Sequence, residues 1–289
     1  MSITHAADLE KTIASWCRQR PDIRAVIVIG SRGRPDRTQD QYSDLDLILF
    51  STKVEGYVSN REWLAQFGDL WIATLNHIGP GDPEWMAFYS PGIKADLLLV
   101  SVTPEQLITG ALQSLPYQQV LTRGFRVLYQ SEADAGEHVD PSARTSPPPV
   151  PSEEQFNHEL NAIFFTAARF VKFSLREDSW RSQYTFEAEL KSHLLTIIEW
   201  HTQLLGNPGA DTWYEGRDMA SWADRRVIAA LRQLDAGPLS NHEREALETY
   251  LTLLELLASE IALRLGYTFP TAGQNAMISW LLATMRQAI

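Results

Sequence analysis

The stretch Gly30-Ser31-Arg32-Gly33-Arg34-Pro35-Asp36-Arg37-Thr38-Gln39-Asp40-Gln41-Tyr42-Ser43-Asp44-Leu45-Asp46, followed at once by Leu47-Ile48-Leu49-Phe50, decides what this chain folds into. A second apolar run, Arg24-Ala-Val-Ile-Val-Ile29, leads into it. Short runs rich in β-branched residues and bounded by Gly, Asp or Ser are strands. Glycine allows close approach of backbone to a ligand and serine adds a hydroxyl, so Gly30-Ser31 can cradle phosphate oxygens. Twelve residues separate Ser31 from Asp44, room for a polar loop. Asp44 and Asp46 then stand two apart at the start of a strand and project from one face. Carboxylates held so close repel each other, and a cation relieves the repulsion. An all-oxygen pair suits a hard ion such as Mg²⁺.

Outward from this stretch, Leu70–Leu75, Ala95–Val100 and Phe125–Tyr129 read as further strands. A helix is expected over Ala7–Arg20, and another over Pro104–Leu115 with Thr103 as N-cap and Pro104 at its first position. Asp96 lies within the apolar run Lys94-Ala-Asp96-Leu-Leu-Leu-Val100. A buried, unpaired aspartate is costly, so it signals either a salt bridge to Lys94 or to an arginine, or a functional site. If its strand lies beside that of Asp46, three carboxylates converge.

The chain changes character near residue 135. Residues 136–151 carry Pro141, Pro147, Pro148, Pro149 and Pro151 and read as a linker. Beyond it, apolar residues recur at helical spacing, as in Phe156, Leu160, Ile163, Phe164, Ala167, Phe170 and Val171 behind an N-cap at Ser152. Further helices are expected over about 186–205, 219–234, 241–265 and 272–287, with most of the five tryptophans in this half placed in the core. The expected fold is α+β: a mixed, helix-flanked sheet over 1–135 and an α-helical bundle over 152–289.

Composition narrows the function classes. Thirty-six Asp and Glu against 25 Lys and Arg give a net charge of −11 over 289 residues. With no basic segment to track a phosphate backbone, nucleic acid is not the expected partner. The single cysteine, Cys17, excludes an internal disulfide framework and points to a reducing compartment. No apolar run spans a membrane, and Met1–Glu10 lacks the order of a signal peptide, so the expected location is the cytoplasm. His193 and His201 stand eight apart, not at the spacing of a paired metal site. No Gly-x-Ser-x-Gly elbow of a serine hydrolase occurs.

The Gly30-Ser31 turn, the Asp44-Leu-Asp46 pair and a third acid together resemble the nucleotidyltransferase superfamily of DNA polymerase β type. The similarity narrows to the aminoglycoside 6-adenylyltransferases, also called streptomycin adenylyltransferases. Gly30-Ser-Arg32, Tyr42-Ser-Asp44-Leu-Asp46, Trp63-Leu-Ala-Gln-Phe67-Gly68 and Gly92-Ile-Lys94-Ala-Asp96-Leu resemble its segments, as do Leu194–Trp200 and Asp211–Arg217. The chain departs from the pattern at Pro91-Gly92, at Ala95 and at Arg176-Glu177-Asp178.

The resemblance implies transfer of AMP from ATP to a hydroxyl, with release of pyrophosphate. Asp44 and Asp46 would hold Mg²⁺, Gly30 and Ser31 the terminal phosphates with Arg32 or Arg34 assisting, and Asp96 would act as general base or third metal ligand. The acceptor is expected to be a cationic aminoglycoside, streptomycin-like, in a groove between the halves. Asp178, Glu187 and Glu189 are the candidate acids there, and Trp180 or Trp213 could stack on a sugar. A lincosamide, another small metabolite or a protein side chain stand as other acceptors, and a non-catalytic nucleotide-binding protein as a different class. The oligomeric state is not legible.

Overall fold

A computed structural model describes residues 5–34, 40–79, 81–106, 108–114, 118–132, 150–212, 214–234 and 242–286. The expected linker falls almost wholly outside them, as does Trp213. The chain divides into two compact units, Met1–Ser146 and Pro147–Ile289.

The first unit is built on six strands: β1 (Ile23–Val28), β2 (Leu45–Ser51), β3 (Leu70–Ile78), β4 (Asp82–Tyr89), β5 (Ile93–Ser101) and β6 (Arg126–Gln130). Their order in the sheet is β3-β4-β5-β2-β1-β6. Only β2 and β5 run parallel; the other neighbours are antiparallel. Helices α1 (Ala6–Cys17) and α3 (Val54–Ser59), with a 3₁₀ turn at Glu62–Gln66, cover one face of this sheet. There Leu45, Leu47, Leu49, Leu97 and Leu99 meet Leu9, Ile13, Trp16 and Leu64. The opposite face carries Ile48, Phe50, Leu98 and Val100 against Ile108, Ala111, Leu112 and Leu121 of α4 (Ile108–Ser114) and α5 (Gln118–Leu121). β1 is buried on both faces, which is why Ala25–Val28 read as one unbroken apolar run.

Trp16 stacks on Trp63 at 5.4 Å between ring centroids, and Phe67 meets both edge-on. The indoles of Trp63 and Trp85 both donate to the Tyr57 carbonyl, at 3.1 and 2.9 Å. The Trp63–Gly68 segment is therefore an aromatic clamp on the sheet. Cys17 is buried in the same core, and burial pushes its thiol up to about 12, so it carries no thiolate at neutral pH.

Two sequence expectations need correction in this unit. β4 was not anticipated, because the Gly, Pro and Asp residues at 79–83 read as a long turn and Glu84, Met86 and Ala87 are weak strand formers. Thr103 and Pro104 start a turn, not a helix; α4 begins at Ile108. The Gln106 side chain accepts from the Thr103 N–H, closing that turn.

The second unit is helical: α6 (Glu153–Ser174), α7 (Ser179–Tyr184), α8 (Lys191–His201), α9 (Met219–Trp222), α10 (Arg225–Leu234), α11 (Glu243–Leu265) and α12 (Ala272–Arg286). Ser152 and Gln155 close a reciprocal capping box on α6, whose seven expected core residues are all buried. Segments with π-type winding at Thr185–Leu190 and Thr202–Gly206 flank α8. The tryptophans depart from expectation. Trp222 is buried and Trp200 packs against the core, but Trp180 and Trp280 lie exposed. No described helix is long and apolar enough to cross a membrane.

A charged network ties α8, α10 and α11 together. Arg226 Nη1 and Nη2 reach Glu260 at 2.7 and 2.9 Å, Nη2 also reaches Asp224 at 2.7 Å, and buried His201 Nε2 lies 2.7 Å from Glu260. The Arg226 hydrogen bonds hold Glu260 down to about 2 from 4.5, with His201 adding to the effect and burial opposing it. A carboxylate depressed on folding contributes stability above its unfolded pKa and loses it as pH falls through the folded value. Thermal unfolding should therefore show a stability loss between about pH 4.5 and about pH 2 that is smaller in E260Q, with E260Q the less stable protein at pH 7.

Candidate active site

The site lies on the sheet face that carries Ile48 and Leu98, where the parallel pair β2–β5 begins. Register sets Leu45 opposite Ala95 and Asp46 opposite Asp96. Side chains directly opposite share a face, so the third acid does stand beside the second. One step earlier, Asp44 precedes β2 and Lys94 precedes Ala95 on β5.

Lys94 Nζ donates to Asp44 Oδ2 at 3.0 Å and to Asp96 Oδ2 at 2.8 Å. Asp44 is 44% exposed, whereas Asp96 is 17% exposed and its Oδ1 is buried with no hydrogen-bond partner. Burial disfavours the ammonium, but the hydrogen bonds from it to the two carboxylates prevail and push its pKa up.

The Gly30-Ser31 turn meets this acid pair at close quarters. Gly30–Gly33 forms a single helical turn, α2, directly after β1, and the Ile29 N–H donates to the Asp46 carbonyl at 2.9 Å. Gly30 has φ +65°, and a Cβ there would fall 2.1 Å from Asp46 Oδ2. At Gly33 a Cβ would fall 2.3 Å from the Val28 carbonyl oxygen, so the turn is pressed onto the end of β1. Ser31 is buried beside it. Arg32 is engaged in the protein itself: its Nε donates to the Ser43 carbonyl at 3.3 Å, and Nη1 lies 3.8 Å from Glu10 Oε1. It thereby ties the turn to the segment that delivers Asp44. Arg34 follows in extended backbone, half-buried.

A fourth carboxylate, Glu84, escaped the sequence reading because β4 did. Register pairs Met86 with Asp96 and Glu84 with Leu98, which places Glu84 diagonally from Asp96 on the same face. Burial raises its pKa, Asp96 and Asp46 add to the rise, and Lys94 opposes it. Its signal in the sequence was an acid inside the alternation Glu84-x-Met86-x-Phe88.

The three aspartates suit a hard cation by their chemistry. Asp44, Asp46 and Asp96 offer oxygen donors only, and Asp96 Oδ1 has lone pairs that no hydrogen bond uses. Yet among the described residues no three acidic, histidine or cysteine side chains are already gathered as metal ligands. Beside the three expected carboxylates the structure places Lys94, whose ammonium bridges Asp44 and Asp96.

The expected acceptor residues are not assembled in this way. Asp178 caps α7, accepting from the Arg181 N–H and pairing with its guanidinium at 3.7 Å. Glu189 pairs with Arg169. Glu187 pairs with Lys191 at 2.6 Å and lines a cavity of about 420 Å³ with Ser192, Leu195, Glu215 and Met219. Trp180 is 80% exposed, and Trp213 lies outside the described residues. Glu187 borders that cavity from a π-type segment that sequence periodicity does not reveal.

A model of the streptomycin adenylyltransferase family matches residues 4–284. The chain belongs to that family. It is accordingly a nucleotidyltransferase enzyme. An aminoglycoside 6-adenylyltransferase of Staphylococcus aureus is 19% identical over 65% of this chain and 66% of its own length, just under two thirds. One from Campylobacter jejuni is 20% identical over 89% of this chain and 88% of its own. A solved aminoglycoside 6-adenyltransferase from Bacillus subtilis is 16% identical, with 96% of each chain covered and a TM-score of 0.46.

Gly30 gives a direct check on this geometry. In G30A the added methyl meets Asp46 Oδ2, and the left-handed backbone is strained by ~1–2 kcal/mol. Far-UV circular dichroism should show the fold retained with a lowered melting temperature, and nucleotidyl transfer should be lost.

Proposed function

We propose that this protein transfers AMP from ATP to a hydroxyl of a cationic, streptomycin-like aminoglycoside, with Mg²⁺ bound at Asp44 and Asp46 and release of pyrophosphate. The observation that carries the reading is the in-register placement of Asp46 beside Asp96, against the Gly30-Ser31 turn, in a chain of this family. The bound ion would supply charge neutralisation at the α-phosphate and orientation of the attacking and leaving oxygens.

The protein's own residues divide the remaining work. Gly30, with no side chain to obstruct it, and the Ser31 hydroxyl hold the terminal phosphates; Arg34 adds charge there. Asp96 accepts the proton of the acceptor hydroxyl, whose oxygen forms its bond to the α-phosphorus as the bond to the pyrophosphate oxygen breaks. Residues 1–135 carry the catalytic machinery in this reading, and 152–289 supply acceptor contacts, with Glu187 the first candidate among the five. Exposed carboxylates suit an acceptor that bears ammonium groups. The enzyme works in the cytoplasm, where ATP is present and Cys17 stays reduced.

Pyrophosphate release from ATP and Mg²⁺, assayed across streptomycin, other aminoglycosides and a lincosamide, tests the reading. Release with streptomycin supports it; release with the lincosamide alone, or with no compound, refutes the acceptor. D46N should lower turnover at least ~100-fold without loss of fold, since a metal ligand's charge is removed and its shape kept. Near wild-type turnover by D46N would remove Asp46 from the chemistry.

A further inference from the structure

The square of side chains at the start of β2 and β5 holds three acids and one base. Asp46 faces Asp96, a pair of like sign, and Lys94 offsets it by bonding to Asp96 and to Asp44. Lys94 and Asp96 lie two apart on β5 and project from one face, which is what brings the ammonium within 2.8 Å of Asp96 Oδ2. Its second bond crosses to Asp44 Oδ2 on the neighbouring chain segment. The ammonium thus already serves as a cation between two carboxylates, Asp44 and Asp96.

The two acids it bridges are those the proposed reaction uses: one holds the ion, and the other takes the hydroxyl proton. A divalent ion such as Mg²⁺ sits about 2.0–2.1 Å from its ligand oxygens, so an ion on Asp44 Oδ2 and an ammonium nitrogen 3.0 Å from the same oxygen would stand roughly 4–5 Å apart, where two cations repel strongly. We propose that Lys94 is a displaceable internal cation, and that its ammonium and the divalent ion exclude one another at Asp44. In the free enzyme the lysine keeps the acids together and occupies one carboxylate oxygen of each. Loading of the ion turns the ammonium out and releases Asp96 as well. Ion binding is then weak by itself and gains from arriving with nucleotide, whose phosphate oxygens add ligands that the protein alone lacks.

The inference rests on the metal-binding part of the proposed function, and the experiment separates the two. Mn²⁺ binding is titrated by the electron paramagnetic resonance signal of the free aquo ion, on full-length wild type, K94M, K94Q and K94R, with and without a non-hydrolysable ATP analogue. Without nucleotide, K94M and K94Q should bind Mn²⁺ at least ~10-fold more tightly than wild type, and K94R should stay near wild type. A lysine with a merely structural role would leave affinity unchanged or lower it on removal. In EDTA, K94M should melt below wild type, and Mg²⁺ should raise its melting temperature by more than it raises that of wild type. Equal or weaker Mn²⁺ binding by folded K94M and K94Q, with wild type binding normally beside nucleotide, overturns the exclusion and leaves the proposed function standing. No Mn²⁺ binding by any of the four proteins, even with nucleotide, overturns both.

Discussion

The repulsion between carboxylates placed side by side governs the first unit of this protein. Parallel pairing of β2 with β5 forces Asp46 against Asp96, and nothing in a sheet interior can relax that placement, because every side chain two positions along shares the same face. The fold answers with three devices. Lys94 bridges Asp44 and Asp96, the backbone of a glycine turn is pressed against Asp46, and both strands continue as apolar runs, Leu47–Phe50 and Leu97–Val100. The Leu47–Phe50 and Leu97–Val100 runs hold the strand pair rigidly in register, and that rigidity keeps the acids from drifting apart.

Much of this was legible in the residues. The apolar runs of β1, β2 and β5 announce buried central strands, and their ends are marked by Gly30, Asp44 and Lys94. The seven residues of the α6 face recur at helical spacing and are all buried. What stayed hidden has a common physical cause: it depends on neighbours across the sheet, not along the chain. β4 is held by β3 on one side and β5 on the other, and that pairing overrides the weak strand preference of Glu84, Met86 and Ala87. Once β4 was missed, Glu84 had no face to be placed on. In the same way, the strand order that brings Lys94 to Asp44 is a property of the parallel crossover, which no local pattern encodes.

The helical unit shows the limit of composition from another side. Asp178, Glu187 and Glu189 looked alike in sequence, yet one caps a helix, one pairs with Lys191 beside a cavity and one pairs with Arg169. An acid's role is set by the cation nearest to it, and those partners sit three, four and twenty residues away. Periodicity places the core residues of a helix well. It says little about which polar residues on the far face are already satisfied.

The orphaned oxygen of Asp96 sets thermal robustness against catalysis. A buried acceptor with no donor is a standing penalty on the native state, commonly 1–3 kcal/mol. Replacing that carboxyl by a leucine-like side chain would suit the apolar strand around it and favour a more robust protein. Laboratory selection for heat tolerance alone would therefore act against that orphaned oxygen, and an evolved, hardened version of this chain is of use only if position 96 is held fixed from the outset.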